Sequence, residues 1–255
     1  MKKIFNAGLL FFSLLTSTVM SNAQTPTAIK NIVIVHGAFA DGSGWQAVYE
    51  ALTKHGYNVT IVQNPLSSLA DDVAATNRIL DKQDGPVVLV GHSWGGSVIT
   101  QAGVHPKVAA LVYVAAFVPD VKETTLDLIK TAPPAPENGI LPPDEKGYVY
   151  YDKQKFQAGF AADLPKATTD FMYASQGPIA AQSFVTPLTE AAWKTKPSFA
   201  ILATEDKSIN PDIQRTMYKR AGAKVTALAG SHVIFMSKAK ETADVIELAA
   251  RSKTP

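Results

Sequence analysis

Ser93 lies in the stretch Gly91-His92-Ser93-Trp94-Gly95-Gly96, directly after an apolar run and directly before Ser97 to Ala102, which can continue as a helix. A serine between glycines at this spacing suits a nucleophile. The strand must turn sharply into the helix to lift the hydroxyl above the sheet edge, and small residues on both sides let the two backbones approach. By itself the Gly-x-Ser-x-Gly pattern is a weak signal, arising by chance in roughly one chain of this length in ten at ordinary glycine frequency. Its place between a strand and a helix is what gives it weight.

A serine hydroxyl is a poor nucleophile without a base beside it. In an open α/β sheet with such a turn, the chain order is serine, then acid, then histidine. Of the five histidines, only His105 and His232 follow Ser93. His105 falls near the end of the helix that Ser93 opens, where its ring points away from the turn. His232, in Gly230-Ser231-His232 after the last predicted strand, is the candidate base. The acid is expected on Thr204-Glu205-Asp206-Lys207, the loop after the preceding strand. Asp206 is the choice and Glu205 the alternative, because adjacent carboxylates point in different directions and only one can reach the far imidazole nitrogen. Its task is to hold the tautomer and stabilise the imidazolium. Asp212, in the first turn after Pro211, fits a helix-capping acid.

An acyl-transfer site also needs two donors for the oxyanion. One is the backbone N–H of Trp94, after the nucleophile. The other is expected from the loop His36 to Trp45 after the first strand, where glycines let the main chain approach a substrate: Ala38, with Phe39 next. His36 is expected to brace that loop. Phe39 and Trp94 are also candidate pocket residues. No pair of histidines or carboxylates stands at helical ligand spacing, so no metal is expected. No Gly-x-Gly-x-x-Gly follows a strand, and no cofactor is expected either.

These residues need a frame. Asn31–Val35, Asn58–Val62, Pro86–Val90, Val108–Val114, Ser198–Ala203 and Lys224–Leu228 are short apolar runs rich in β-branched residues. They read as strands of a mostly parallel sheet of about six strands, covered by helices on both faces. Trp45, Val48 and Leu52 mark one helix before Gly56. Leu69, Val73 and Leu80 mark another after Ser67-Ser68, which are suited to cap it. A third opens with Asn210-Pro211 and closes with Lys219, Arg220 and Gly222. From about Pro119 to Lys196 no strong strand is predicted. Pro133, Pro134, Pro136, Pro142 and Pro143 crowd a loop there, and Phe156, Phe160, Leu164, Phe171 and Met172 suggest amphipathic helix. Residues 119–196 are therefore expected to form a cap inserted into a core of 24–118 and 197–255.

The chain has 255 residues, 46% hydrophobic and 18% charged, the composition of a soluble globular protein, which excludes disorder and coiled coil. Lys2-Lys3, an apolar run from Ala7 to Leu15, and Ser21-Asn22-Ala23 read as a signal peptide over 1–23, cleaved near Ala23. The apolar core of that segment is far short of the ~20 residues a bilayer span needs. Export to the periplasm or the exterior is expected, with no membrane span in the mature chain. With no cysteine, no disulfide supports the fold, and stability must come from a core. Without Lys2 and Lys3, 22 basic side chains stand against 22 acidic. That balance argues against nucleic acid or a membrane surface as partner and for a small, weakly charged ligand. The protein is expected to be a monomer or homodimer.

With VHGAFADGSGW, GHSWGG, ATEDKSIN and GSH in that order, the chain resembles the α/β-hydrolase superfamily, and within it the branch of small methyl-ester hydrolases and hydroxynitrile lyases. The likeness runs from about Ile32 to the C-terminus. Its most specific piece is Thr204-Glu205-Asp206-Lys207 with the helix opened by Pro211 and Gln214-Arg215, which favours Asp206 over Glu205. The resemblance implies Ser93 as nucleophile, His232 as base, Asp206 as acid, Ala38 and Trp94 as oxyanion donors, and no cofactor. Two positions depart from the lyases: Gly37 and Val233 stand where those enzymes carry threonine and lysine. The implied reaction is therefore cleavage of a small carboxylic ester, or a similar lactone or thioester, through an acyl-enzyme. The rivals are carbon–carbon bond hydrolysis or perhydrolysis by the same triad, and a binding protein that keeps the fold without turnover.

Overall fold

The computed structural model describes residues 29–252 and the isolated Met1; the signal segment expected over 1–23 otherwise lies outside the described residues. In chain order the elements are β1 (Asn31–Val35), α1 (Gln46–Lys54), β2 (Asn58–Val62), α2 (Leu69–Asp81), β3 (Val87–His92), α3 (Trp94–Ala102) and β4 (Val108–Val114). The segment that follows holds α4 (Thr125–Ile129), β5 (Tyr148–Val149), α5 (Phe156–Phe160), α6 (Lys166–Ala174), β6 (Ile179–Ala180) and α7 (Ala181–Val185). The alternation then resumes with β7 (Ser198–Ala203), α8 (Pro211–Arg220), β8 (Lys224–Leu228), α9 (Ile234–Ser237) and α10 (Ala239–Ala250).

Six strands form one sheet in the order β2-β1-β3-β4-β7-β8, every neighbouring pair parallel. All six were predicted from their apolar runs. Parallel strands need crossover helices, which cover both faces, so interior strands bury every residue. That is the case for β1, β3, β4 and β7, whereas the edge strands β2 and β8 stay partly exposed. No helix among the described residues is long and apolar enough to cross a membrane.

Local chemistry sets the helix ends. The Ser68 hydroxyl caps α2 by accepting from Asp71 N–H at 3.0 Å. Asn210 does the same for α8 through Asp212 N–H at 2.9 Å, with Pro211 in the first turn. At the far end of α8, Arg220 grips both carboxylate oxygens of Glu123 at 2.7 and 2.8 Å. It also donates to Val118 O at 2.7 Å, fastening the exit of β4 to that helix.

Three details differ from the sequence reading. Trp45 belongs to a short 3-10 turn, Gly42–Trp45, and not to α1, because Asp41 caps that turn through Ser43 N–H at 2.7 Å. The segment 119–196 does contain strand: β5 and β6 pair antiparallel over two residues each, too short to leave a periodic signal. Phe171 does not join the buried face of α6 but lies 66% exposed.

Packing is tight where α3 crosses β1. A Cβ placed on Gly95 would come within 2.5 Å of Val35 O and 2.9 Å of His36 O. Neither carbonyl can yield without moving the sheet. Gly95→Ala is expected to lower stability by about 1–3 kcal/mol, the usual cost of overpacking, measured as a reduced urea midpoint at unchanged slope.

Candidate active site

β3 ends at His92 and α3 begins at Trp94, so the chain turns on Ser93 alone. Ser93 has φ 52° and ψ −121°, a conformation that costs a residue with a side chain about 1–3 kcal/mol. Neighbouring backbone holds it there. Ser93 N–H donates to Val114 O at 3.3 Å, and Ser93 O accepts from Gly96 N–H at 3.0 Å and Phe117 N–H at 3.1 Å. The hydroxyl is thereby presented at the carboxyl end of the sheet.

The loops after β7 and β8 meet it. His232 Nε2 lies 2.8 Å from Ser93 Oγ, and His232 Nδ1 lies 2.7 Å from Asp206 Oδ2. With Nδ1–H donating to the carboxylate, Nε2 carries the lone pair that accepts the serine O–H. Asp206 is almost fully buried, and its oxygens are matched: Oδ1 accepts from Ser208 N–H at 2.8 Å and Ile209 N–H at 2.9 Å, and Oδ2 also accepts from Gln214 Nε2 at 2.9 Å. Glu205 is exposed. His105 sits on Asp81 at 3.1 Å, away from this cluster. His36 braces the β1 loop, donating from Nδ1 to Gly37 O at 2.8 Å and accepting Asn64 N–H on Nε2 at 2.9 Å. Burial holds its pKa below the usual histidine value.

Ser93 and His232 open into a cavity of about 420 Å³. Ala38, Phe39 and Trp94, all singled out from the sequence, line it. Among the described residues, the backbone N–H groups of Ala38, Phe39 and Trp94 meet no acceptor. Trp94 has none because it opens a helix. Most of the remaining wall is apolar and comes from residues 126–185, with Ile140, Tyr151, Phe160 and Phe184 among them. The described lining includes no lysine, arginine, aspartate or glutamate. Tyr151 and Phe160 pack edge-on at 5.4 Å, Phe39 meets Tyr151 at 5.6 Å, and Phe160 touches the His232 ring at 5.0 Å.

Several residues of the site carry no sequence signal. His92 reaches across from β3 and donates from Nε2 to His232 O at 3.0 Å. Burial first, and the neighbouring His232 second, hold its pKa far below the usual histidine range, so it is a neutral prop. Asp163, from the segment after β4, accepts from Ser231 N–H at 3.0 Å, from Ser231 Oγ, and from Ser237 Oγ at 2.6 Å. It thus clamps the loop that carries His232. Asp72 on α2 accepts from the Trp94 indole N–H at 2.7 Å. Each partner lies tens of residues away along the chain, and nothing in the local spacing announces it.

Comparison with known proteins identifies the family. The family model described as alpha/beta hydrolase family matches residues 32–245. The chain is 34% identical over 120 residues to a carbendazim hydrolyzing esterase of Nocardioides sp. (strain SG-4G), a match covering 42% of this chain and only 50% of that protein. It is 26% identical over 253 residues to a pyrethroid hydrolase of Sphingobium wenxiniae (strain DSM 21828), covering 86% of each. A solved pyrethroid hydrolase from Sphingobium faniae JZ-2 superposes with a TM-score of 0.74 at 24% identity, over 88% of this chain and 98% of that one. A sheet of this order, a one-residue turn into α3 and a family match spanning most of the chain lead to one assignment: the chain belongs to the alpha/beta hydrolase family.

Proposed function

We propose that this protein is a serine hydrolase that cleaves a neutral, largely apolar carboxylic ester, lactone or thioester through an acyl-enzyme on Ser93. The observation that carries the reading is the hydrogen-bonded run Ser93 Oγ, His232 Nε2, His232 Nδ1, Asp206 Oδ2, with steps of 2.8 and 2.7 Å, opening into an apolar cavity. His232 takes the serine proton as Oγ attacks the ester carbon, and Asp206 stabilises the imidazolium. The oxyanion is received by the N–H groups of Trp94 and Ala38. The imidazolium then returns its proton to the departing oxygen or sulfur, and His232 activates the water that releases the acid. Uncharged walls leave a charged acyl group without a partner, at a cost of several kcal/mol. The reading keeps the exported location expected from residues 1–23, and mass spectrometry of the mature N-terminus checks it.

Esterase activity is favoured over cyanohydrin cleavage. A Cβ on Gly37 would stand 2.7 Å from Ser93 Cβ, so this loop cannot bring a threonine hydroxyl to the same spot without shifting. Val233 is fully buried and offers no cation to a departing cyanide.

Three outcomes follow from this reading. Ser93→Ala folds but loses about 10⁴-fold or more in kcat, and a fluorophosphonate probe that labels the wild type leaves it unlabelled; residual activity within tenfold would remove Ser93 from the chemistry. Asp206→Asn depresses the rate far more than Glu205→Gln, and the reverse order would exchange their roles. Across p-nitrophenyl esters, kcat/KM rises by up to about fourfold per added methylene until the cavity is filled, since each buried CH₂ contributes about 0.8 kcal/mol, while a succinate hemiester is cleaved poorly and mandelonitrile releases no cyanide above the buffer rate.

A further inference from the structure

The residue after the nucleophile is held from behind. Trp94 is 1% exposed, and its indole N–H donates to Asp72 Oδ2 at 2.7 Å. The other oxygen, Oδ1, accepts Leu66 N–H at 2.8 Å. Leu66 sits at φ 57°, and its carbonyl takes Ala180 N–H from β6 at 2.9 Å. The indole and the Phe184 ring of α7 meet edge to face, 5.6 Å between centroids. Asp72 itself is fully buried in the first turns of α2. Each donor meets a different oxygen of this side chain, an arrangement that a carboxylate supplies and an amide, with its single oxygen, does not.

The mechanism proposed above needs only the backbone N–H of Trp94, and that group depends on where the peptide after the strained Ser93 points. With the indole tied at its tip, Trp94 cannot turn, and its N–H stays aimed into the cavity. Without an acceptor, a buried indole N–H is left unsatisfied at appreciable cost, and the side chain must move to find one. We propose that Asp72 is a positioning residue of this active site: through the Trp94 indole it fixes the backbone N–H that receives the oxyanion, and so controls kcat rather than KM. The inference rests on the esterase reading for its kinetic part only. Charge at the oxyanion develops in the transition state, so a loosened donor weakens that state and not substrate binding.

The same pair responds to protons. Burial raises the Asp72 carboxyl to about 6, the hydrogen bonds from Trp94 and Leu66 opposing the shift only in part. Asp71, of like sign and itself bonded to the Ser67 and Ser68 hydroxyls at 2.7 and 2.8 Å, pushes in the same direction as burial. Trp94 and Leu66 bring N–H groups to Asp72, and Phe184 brings an uncharged ring to the indole. As the pH falls through about 6, Asp72 takes up a proton, one oxygen becomes a donor, and the grip on the indole is reduced.

The test has two readouts. First, tryptophan emission of the wild type is followed from pH 7.5 to 5; a transition with a midpoint near 6 that is absent in Trp94→Phe supports the pair, and no transition belonging to Trp94 overturns it. This readout needs no catalysis, so it stands even if no ester is turned over, in which case the function fails and not the coupling. Second, kcat per site titrated with a fluorophosphonate is measured at pH 7.5 with p-nitrophenyl butyrate for the wild type, D72N, W94F and the double variant. D72N is expected to lose about tenfold in kcat with KM within about twofold, and to add less than about twofold in the W94F background, because the two residues act as one unit. An unchanged kcat in D72N, or an equal loss with and without Trp94, would overturn the role. Counting only active sites separates positioning from a mere loss of folded protein. Should D72N fail to fold, the emission comparison of wild type with W94F decides.

Discussion

Between the last residue of β3 and the first of α3 there is backbone for one residue only, and that shortage governs everything around it. Ser93 must take a positive φ, which costs energy that the sheet has to offset. The offset comes from three backbone hydrogen bonds to Val114, Gly96 and Phe117, which tie the turn to β4 and its exit. A turn so short also drives α3 against β1, where the carbonyls of Val35 and His36 leave no room for a side chain at Gly95. The β1 loop then passes close over the turn, and a Cβ at Gly37 would strike Ser93. Strain at the nucleophile and small residues around it are two consequences of the same geometry.

Apart from the exposed Asp163, the polar groups around the turn are buried, and burial makes each one answerable to its partners. Three carboxylates each bind a different part of the chain to the site. Asp206 binds the loop after β7 to His232 and, through Gln214, to α8. Asp163 binds the segment between β4 and β7 to the loop that bears His232. Asp72 binds α2 to the first residue of α3. The histidines complement them: His36 and His92, both buried and held below the ordinary histidine pKa, prop the loops of β1 and β8 without bringing charge. His232 is the histidine that meets a carboxylate within this cluster.

The aromatic layer over the cavity has a related role. Phe39, Tyr151, Phe156 and Phe160 meet one another mostly edge to face, and Phe160 continues the contact to the His232 ring. Offset and edge contacts of this kind add to the energy of burial and fix ring directions. The wall over Ser93 is therefore apolar and ordered, and it keeps bulk water from competing for the hydrogen bonds below it. The Trp45 ring stacks on Phe235 at 4.1 Å, packing α9, just past His232, against the turn that precedes α1.

What the sequence determined by itself is what short-range physics can write. Six apolar β-branched runs specified six buried or half-buried strands, because a parallel sheet covered on both faces demands unbroken apolar stretches. Ser68, Asn210 and Pro211 announced their helices, since a cap is a bond to a neighbour a few residues on. Gly91, Ser93, Gly95 and Gly96 announced the turn, whose strain is local. The loops bearing Asp206 and His232 could be named from chain order, and the tertiary structure brings both to hydrogen-bonding distance of the group they were named for. Tertiary structure alone decided the rest. Asp72, Asp163 and His92 act on residues 22, 68 and 140 positions away, and an aspartate or histidine within a helix, loop or strand looks the same whether it faces water or a buried partner. The segment 119–196 was legible as an insertion expected to cap the core, but its inner face was not, because which of its aromatics turn inward, as Phe160 does, and which outward, as Phe171 does, depends on the surface they land on. Spacing along the chain records contacts that recur within a few residues; contacts made once, between distant segments, exist only after the sheet has brought those segments together.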